Sequence, residues 1–446
     1  MNLIIDNLTI RTAAAADAEQ LCEWWNDGKI MAHAGFPGGL GTNPGKIRES
    51  LASDTDEARR RHIIELDQRP IGEMHYRNIG EKTAEISIKI CDCQEQEKGL
   101  GTTALTIFID ALFTYYSYEK VIVDANTENK RAQHVYEKKL GFKPVALREN
   151  SWRDQLGNPQ SSIDYELIKD DWLKRAGGPL KYIRLRLETP PDYRAVEELT
   201  REAFWVFENP AQKICDVHLL VNKLRRSVNF VPELDFVAEI NGELAGHIIY
   251  SKSKVISDNG DEHEVLTFGP LSVLPKFQNQ GVGKALMRHS FEAAKQMGFR
   301  AVIIFGYPDY YPRVGFRRAA EFGIATAEGK TFDPFMALPL YEGALNGIHG
   351  RYYIDSAYEE LTQEEALEFD KTFPYKKPYR PTPIDVLLER LEPDARKDIE
   401  NLGLKTLETL KQKSEGSLRA LPGVDDVAVK AIYAIMAEYG YKWGER

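Results

Sequence analysis

Apolar and polar residues alternate from Leu3 to Arg11, the period-two pattern of a half-buried strand. The next apolar positions, Leu21, Trp24 and Trp25, follow near-helical spacing. A glycine-rich loop and a second helix lead to alternating runs at His62–Leu66, Ile71–Tyr76 and Ala84–Ile90. A long helix from Gly101 to Tyr116, a strand at Val121–Ala125, a helix at Lys130–Leu140 and a last strand near Ile163–Ile168 complete the first unit. Asp170 to Leu180, with Gly177, Gly178 and Pro179, reads as a linker. The same order then returns: strand Tyr182–Leu187, helix Asp192–Phe207, strands Phe236–Ile240, Ala245–Tyr250 and Val265–Val273, helix Gly283–Met297, strand Ala301–Phe305. This is the repeat of a whole domain. Gly343 to Tyr379 extends the second unit, and the proline-rich Pro374–Pro383 marks another boundary. From Ile384 the pattern is helical only, with Leu387, Leu388, Leu391, Leu402, Leu407, Leu410 and Leu418 in short amphipathic turns. The expected organisation is 1–170, 181–380 and 384–446: two α/β (α+β) units with mixed sheets, then a small all-α domain.

At 446 residues the chain is too long for one core. Its 43% hydrophobic and 28% charged residues suit globular folding. Acids outnumber bases, 68 to 58, for a formal charge of −10, which argues against a general polyanion binder and leaves room for amine substrates. Of four cysteines, Cys91 and Cys93 form a C-x-C with no second pair at zinc spacing, so they read as packing residues and no metal is expected. The first eleven residues lack the basic and apolar regions of a signal peptide, and no run of 18 apolar residues occurs. A cytoplasmic protein without a membrane span is the expectation.

The chemistry is carried by a pattern that occurs twice. Gln96-Glu97-Lys98-Gly99-Leu100-Gly101 follows one strand and opens a helix at Thr102, and Gln278-Asn279-Gln280-Gly281-Val282-Gly283 does the same before Lys284. Glycines let a backbone approach a diphosphate, and the unpaired N–H groups and dipole of a helix start favour negative charge. The spacing is not G-x-G-x-x-G, which disfavours a dinucleotide-binding βαβ unit. A second constellation lies downstream of each turn. In the first unit it comprises Asp124-Ala125-Asn126, Asn129, Ala132, Tyr136 and Gly141-Phe142; in the second it is Tyr310-Tyr311-Pro312-Arg313-Val314-Gly315-Phe316.

Both constellations resemble the hallmark motifs of the GNAT acetyltransferases. The first unit is similar to ribosomal-protein N-terminal and aminoglycoside 6′-acetyltransferases. The second resembles a bacterial group marked by Gly269 to Val273 and a Tyr-Tyr-x-Arg-x-Gly-Phe segment. The resemblance implies acetyl-CoA as co-substrate and a mixed sheet that splays between its fourth and fifth strands, with the pantetheine arm in the gap. It assigns Gln96, Lys98, Gly99, Leu100, Gly101 and Thr102 to the diphosphate, Asn129 to the pantetheine or thioester, and Tyr136 to a place near the thiol. Gln278, Gly281, Val282, Gly283 and Lys284 match in the second unit, with Tyr311 at the tyrosine position; no asparagine stands where Asn129 would.

Attack on a thioester needs a neutral amine, while a free alkylamine with a pKa of about 10.4 is protonated at pH 7, so a base is useful. Glu85 is the first candidate, with Glu73 and His75 on the preceding strand sharing one face; Glu264 and then His263 stand in for the second unit. Tyr136 and Tyr311 are candidate proton donors to the leaving thiolate. The loop Ala34 to Gly41 reads either as a mobile acceptor-side loop or as an ordinary connection. The tail segment Leu418 to Asp425, with Ala428 and Ile432, resembles a helix-hairpin-helix and the C-terminal domain of the bacterial RNA polymerase α subunit. Residues 384–446 carry 10 basic and 12 acidic residues, however, and Asp425 and Asp426 stand at the hairpin, so nucleic acid is not the expected partner. The function expected is N-acetyl transfer to a primary amine of a small molecule or protein N-terminus. The alternative is a regulatory or nucleic-acid-associated protein whose GNAT units only bind acyl-CoA.

Overall fold

A computed structural model describes residues 1–175, 181–205, 214–376, 381–411 and 413–441. The first predicted strand is a hairpin: β1 (Asn2–Ile5) turns through Asp6, whose φ of 51° is left-handed, into β2 (Leu8–Thr12). There follow α1 (Ala18–Asn26), α2 (Gly28–Met31), α3 (Pro44–Ala52), β3 (Arg59–Leu66), β4 (Arg69–Asn78), β5 (Thr83–Ile90), α4 (Leu100–Tyr115) and β6 (Lys120–Asn126). The helix expected over Lys130–Leu140 is α-helical only in α5 (Lys130–His134) and winds as a π-helix through Val135–Leu140. It leads into a strand missed in the sequence, β7 (Lys143–Arg153), which pairs antiparallel with β8 (Pro159–Ile168). β7 is exposed along almost its whole length, so it lacks an apolar alternation to read.

The expected linker begins as a helix, α6 (Lys169–Arg175), which buries Trp172; its remainder lies outside the described residues. The second unit runs β9 (Ile183–Leu187), α7 (Tyr193–Ala203), α8 (Val217–Leu224), β10 (Phe236–Ile240), β11 (Glu243–Ile256), β12 (Glu262–Val273), α9 (Val282–Gln296) and β13 (Ala301–Phe305). Phe207, expected to end a helix, also lies outside the described residues. β14 (Arg317–Arg318), β15 (Ile324–Thr326), β16 (Phe335–Pro339) and β17 (Gly350–Tyr353) complete the strands, and α10 (Gln363–Asp370) follows. α10 straps the region after β17 onto α7: the Asp370 carboxylate accepts from the Arg201 guanidinium, and the Arg194 guanidinium lies 3.3 Å from the Phe373 ring centroid.

α4 is apolar on nearly all sides and covers the sheet of the first unit, burying Leu105, Phe108 and Leu112 against Ile10, Ile64, Met74, Ile86 and Val121. α9 does the same in the second, over Phe236, Ile248, Tyr250 and Leu266. A fully buried side chain of this kind contributes about 1.5–3 kcal/mol. On the opposite face α1 and α3 pack over Ile63, and α8 over Ile249.

The two sheets are joined. β1 pairs antiparallel with β9, Asn2 opposite Leu185 and Ile4 opposite Ile183, while β9 pairs on its other side with β10. Asp110 on α4 reinforces the junction by accepting from the Trp172 indole N–H and the Tyr182 hydroxyl, each at 3.0 Å.

In the tail, α11 (Asp385–Leu388), α12 (Pro393–Asn401), α13 (Leu407–Lys411), α14 (Glu415–Arg419) and α15 (Asp426–Glu438) enclose a separate core around Leu387, Ile399, Leu410, Leu418 and Ile432. Gly423 is needed there for close packing, since a Cβ would come within 2.5 Å of the Asp394 backbone. Its N–H donates to Asp398 at 2.7 Å, so a carboxylate of the chain itself takes the amide that a phosphate would need. Asp425 caps α15 through the Ala428 N–H at 2.8 Å, and Asp426 pairs with Arg419. Among the described residues no helix is long and apolar enough to cross a membrane.

Two outcomes follow from these contacts. Asp110→Ala leaves the buried Trp172 indole N–H unpaired and removes one of two partners of the Tyr182 phenol, and lowers stability by about 1–3 kcal/mol in urea unfolding. With its hairpin amide occupied and its charge negative, the intact protein gives no fluorescence-anisotropy response to duplex DNA at physiological salt; micromolar or tighter binding would contradict this reading of the tail.

Candidate functional site

The parallel pairing of β5 with β6 covers only Thr83–Lys120, Ala84–Val121 and Glu85–Ile122, although β5 runs on to Ile90 and β6 to Asn126. β12 pairs with β13 at Leu266–Val302 alone and continues to Val273. In each unit, then, two neighbouring strands part, and the anion-type turn stands at the end of the diverging strand. The gap in the first unit lies between its fifth and sixth strands, because the hairpin adds one; in the second it lies between the fourth and fifth.

The two turns have the same construction. Gln96 donates its side-chain amide to the Ile90 carbonyl at 2.8 Å, and Gln278 donates to that of Val273 at 3.2 Å, so each glutamine ties its turn back to the strand. Glu97 and Asn279 follow with φ of 63° and 61°, then Gly99 and Gly281, both with φ of 83°, which glycine alone adopts cheaply. Each of these glycines is the N-cap of its helix, and the first helical bonds run from Thr103 N to Gly99 O and from Ala285 N to Gly281 O. The N–H groups of Leu100, Gly101 and Thr102, and of Val282, Gly283 and Lys284, therefore lack intrahelical acceptors. Gly101 and Gly283 have no left-handed φ, and a Cβ on either would meet only ordinary contacts, Ile90 at 3.4 Å and the Tyr310 hydroxyl at 3.6 Å. Neither backbone nor packing demands glycine there, which leaves the space above the helix start as the reason for it. Lys98 pairs with Glu95 at 3.0 Å.

Asn129 caps α5, its side-chain oxygen accepting the Ala132 N–H at 3.1 Å, so its amide NH2 is the part left for a ligand. Tyr136 lies buried in the π-helical turn between the rings of Phe142 and Tyr165; burial and the nearby Asp124 hold its phenol well above the usual range, in the protonated form a donor requires. Tyr311 packs among Tyr310, Phe316 and Phe268, and burial raises its phenol likewise.

Of the candidate bases, Glu85 stands at the last pair before the gap and accepts from Arg77 at 2.7 Å. Glu73 is buried and accepts from the Trp25 indole at 2.7 Å and from Lys89 at 3.0 Å. Glu264 pairs with Lys252 at 3.1 Å, and His263 contacts Ser257 at 3.1 Å. Both sit on the far side of Leu266 from the splayed segment, so the expectation that either serves the second gap is corrected. The loop Ala34 to Gly41 is tied to the turn between β7 and β8: the Gly38 N–H donates to Gln155 at 2.8 Å, Gln155 donates back to Gly35 and Gly39, and a Cβ on Gly35 would strike Trp152.

Two features escaped the sequence reading. Arg11 clasps Asp17 and Glu65, and Arg186 clasps Asp192 and Glu239; the shared six-residue spacing between each arginine and its aspartate was the available signal. The second is a buried network in which His247 lies 2.7 Å from Asp235 while Arg225 holds Glu188 and Glu197. Burial pushes Glu188 up to about 8 and Asp235 up to about 6, and His247 down to about 4.

Residues 7–143 match the family described as acetyltransferase (GNAT) domain, and residues 194–318 that described as acetyltransferase (GNAT) family. The N-acetyltransferase YjhQ of Escherichia coli K12 is 33% identical over 101 residues, 23% of this chain and 55% of YjhQ, so the chain spans about half of that relative's length. YhbS of the same organism is 27% identical over 166 residues, 37% of this chain and 92% of YhbS. The structure of Escherichia coli YhbS in complex with CoA aligns at 25% identity over 41% of this chain and 95% of its own, with a TM-score of 0.36. Two matched segments, each containing a parting strand pair and its glycine turn, place the chain among the GNAT acyl-CoA N-acetyltransferases, with two of their domains in tandem.

Proposed function

We propose that the first domain transfers an acetyl group from acetyl-CoA to a primary amine of a small molecule or protein N-terminus by direct attack, and that it carries the turnover of the chain. The observation that carries this reading is the conjunction at Gln96–Gly101: a strand that leaves its parallel neighbour and a helix start with unpaired N–H groups beneath an unforced glycine. The diphosphate would lie on the N–H groups of Leu100, Gly101 and Thr102, with Lys98 at the rim. The pantetheine arm would enter the gap beyond Glu85 and Ile122, where strand N–H and C=O groups are unpaired across it. The Asn129 amide would reach the arm, and the Tyr136 hydroxyl would donate a hydrogen bond to the sulfur as it leaves.

In the second domain, Gln278, Gly281, Val282, Gly283 and Lys284 form the equivalent cradle, with Tyr311 as proton donor. That gap lacks a counterpart of Asn129, and its expected bases lie on the wrong side of Leu266, which favours acyl-CoA binding there over turnover. The acceptor class is tested by acetyl-CoA consumption over a panel of polyamines, aminoglycosides, small amines and peptides with free N-termini. No consumption with any of them would remove the reading.

Gly101→Glu is the clean probe of the cradle, because its backbone tolerates a side chain whereas that of Gly99 does not. A carboxylate placed against the diphosphate weakens CoA binding to the first domain by roughly 10²-fold or more in calorimetric titration. Unchanged affinity in the folded variant contradicts the cradle. Tyr136→Phe removes a hydroxyl and keeps the ring packing; kcat falls by about 10²-fold with CoA affinity preserved. Equal kinetics would make Tyr136 a packing residue.

A further inference from the structure

The face of β4 and β5 beneath α1 is built from three directly opposed pairs: Arg77 with Glu85, His75 with Ser87, and Glu73 with Lys89. The outer two are ion pairs, at 2.7 Å from Arg77 Nε to Glu85 and 3.0 Å from Lys89 to Glu73. Both carboxylates are thus already engaged by a cation on the neighbouring strand. The central pair differs. Neither ring nitrogen of His75 has a hydrogen-bond partner among the described residues, and its half-buried side chain stands between Ser87, opposite it on β5, and Arg61, opposite it on β3. Ser87 is the first residue on this face beyond Glu85, where β5 has already left β6. It therefore stands between His75 and the gap.

We propose that His75 takes the proton from the acceptor amine in the first domain, through the Ser87 hydroxyl and a bridging water. This inference rests on the amine-acetylation reading above. The groups around the ring agree with it. On β3, Arg61 lies opposite His75, held by Asp54 at 2.8 Å, with Arg59 nearby; Lys89 and Glu85 face it from β5, Glu73 and Arg77 flank it on β4, and Trp25 of α1 is bound to Glu73. Burial, with Lys89 and Arg59, lowers the imidazole pKa against the opposing pull of Glu73 and Glu85, so the ring is neutral at pH 7 and has a lone pair to offer.

The step balances as follows. The ammonium gives one proton to the imidazole, and the freed amine attacks the thioester carbonyl. The C–N bond forms, the C–S bond breaks as the tetrahedral adduct collapses, and the second amine proton reaches the sulfur by way of the Tyr136 hydroxyl. The amide and CoA thiol leave, and His75 returns its proton to solvent.

The test is the pH profile of kcat/KM for the intact enzyme with the best amine from the panel, together with CoA titration. In His75→Gln, kcat/KM at pH 7 falls by about 10²-fold, and the deficit shrinks toward pH 10, where the amine deprotonates without help. CoA affinity is unchanged, and free imidazole restores activity to His75→Gly. A deficit constant across pH, no imidazole rescue, or loss of the acidic limb in Glu85→Gln instead would overturn the assignment. Wild-type protein that binds CoA yet acetylates no amine would sink the underlying reading and His75 with it; an active wild type with an unaffected His75→Gln removes His75 alone.

Discussion

Backbone pairing between β5 and β6 ends at Glu85 and Ile122, and the first domain is organised around that early stop. A strand in the middle of a sheet normally satisfies N–H and C=O groups on both sides. Here several residues of each strand turn unanswered groups toward one gap, an arrangement that suits an extended, amide-bearing ligand arm. The same divergence delivers the end of β5 to the start of α4, where the helix has its own unpaired donors. Because Gln96 anchors the turn to Ile90, the cradle and the gap share one strand and keep a fixed relation.

The repeat shows which parts of this design tolerate change. Gly72 and Gly246 occupy equivalent places on β4 and β11, each too close to a neighbouring strand for a Cβ. The residues that follow differ in chemistry: Glu73 binds an indole and an ammonium, whereas His247 is locked to Asp235 in a fully buried network. Two copies of one scaffold thus keep the turn, the gap and the arginine clasp, while the polar residues beneath the acceptor-side helices diverge. Catalytic duty in one copy and ligand binding in the other is consistent with that pattern.

Most strands and both cradle helices were legible in the sequence because one face of each is apolar at a regular period, and the Q-x-x-G-x-G turns stood out because they recur. What was not legible lacked a periodic signal or depended on distant partners. β7 has no buried face, and the β1–β2 hairpin turns through Asp6-Asn7 without a glycine. The role of Glu85 turned on Arg77, which faces it across a strand pair whose register composition does not supply. His75 and Glu73 were correctly placed on one face, but only the structure shows that one is engaged and the other is not. The charge of the tail already spoke against nucleic acid, but that the Gly423 N–H is taken by Asp398, 25 residues away in sequence, shows only in the structure.

The pairing of β1 with β9 has a consequence for how this chain can be divided. In the intact protein each of these strands has neighbours on both sides, β2 and β9 for one, β1 and β10 for the other. Separating the halves would strip one side of Asn2–Ile4 and of Ile183–Leu185; Arg184 would leave a charge on the second edge, while Leu3 and Ile4 on the first would have open hydrogen-bonding groups and no charged or proline guard, the kind of surface that recruits other chains. The two acetyltransferase units are in this sense one folding body, and gene fragments carrying a single unit would be prone to self-association rather than to independent activity.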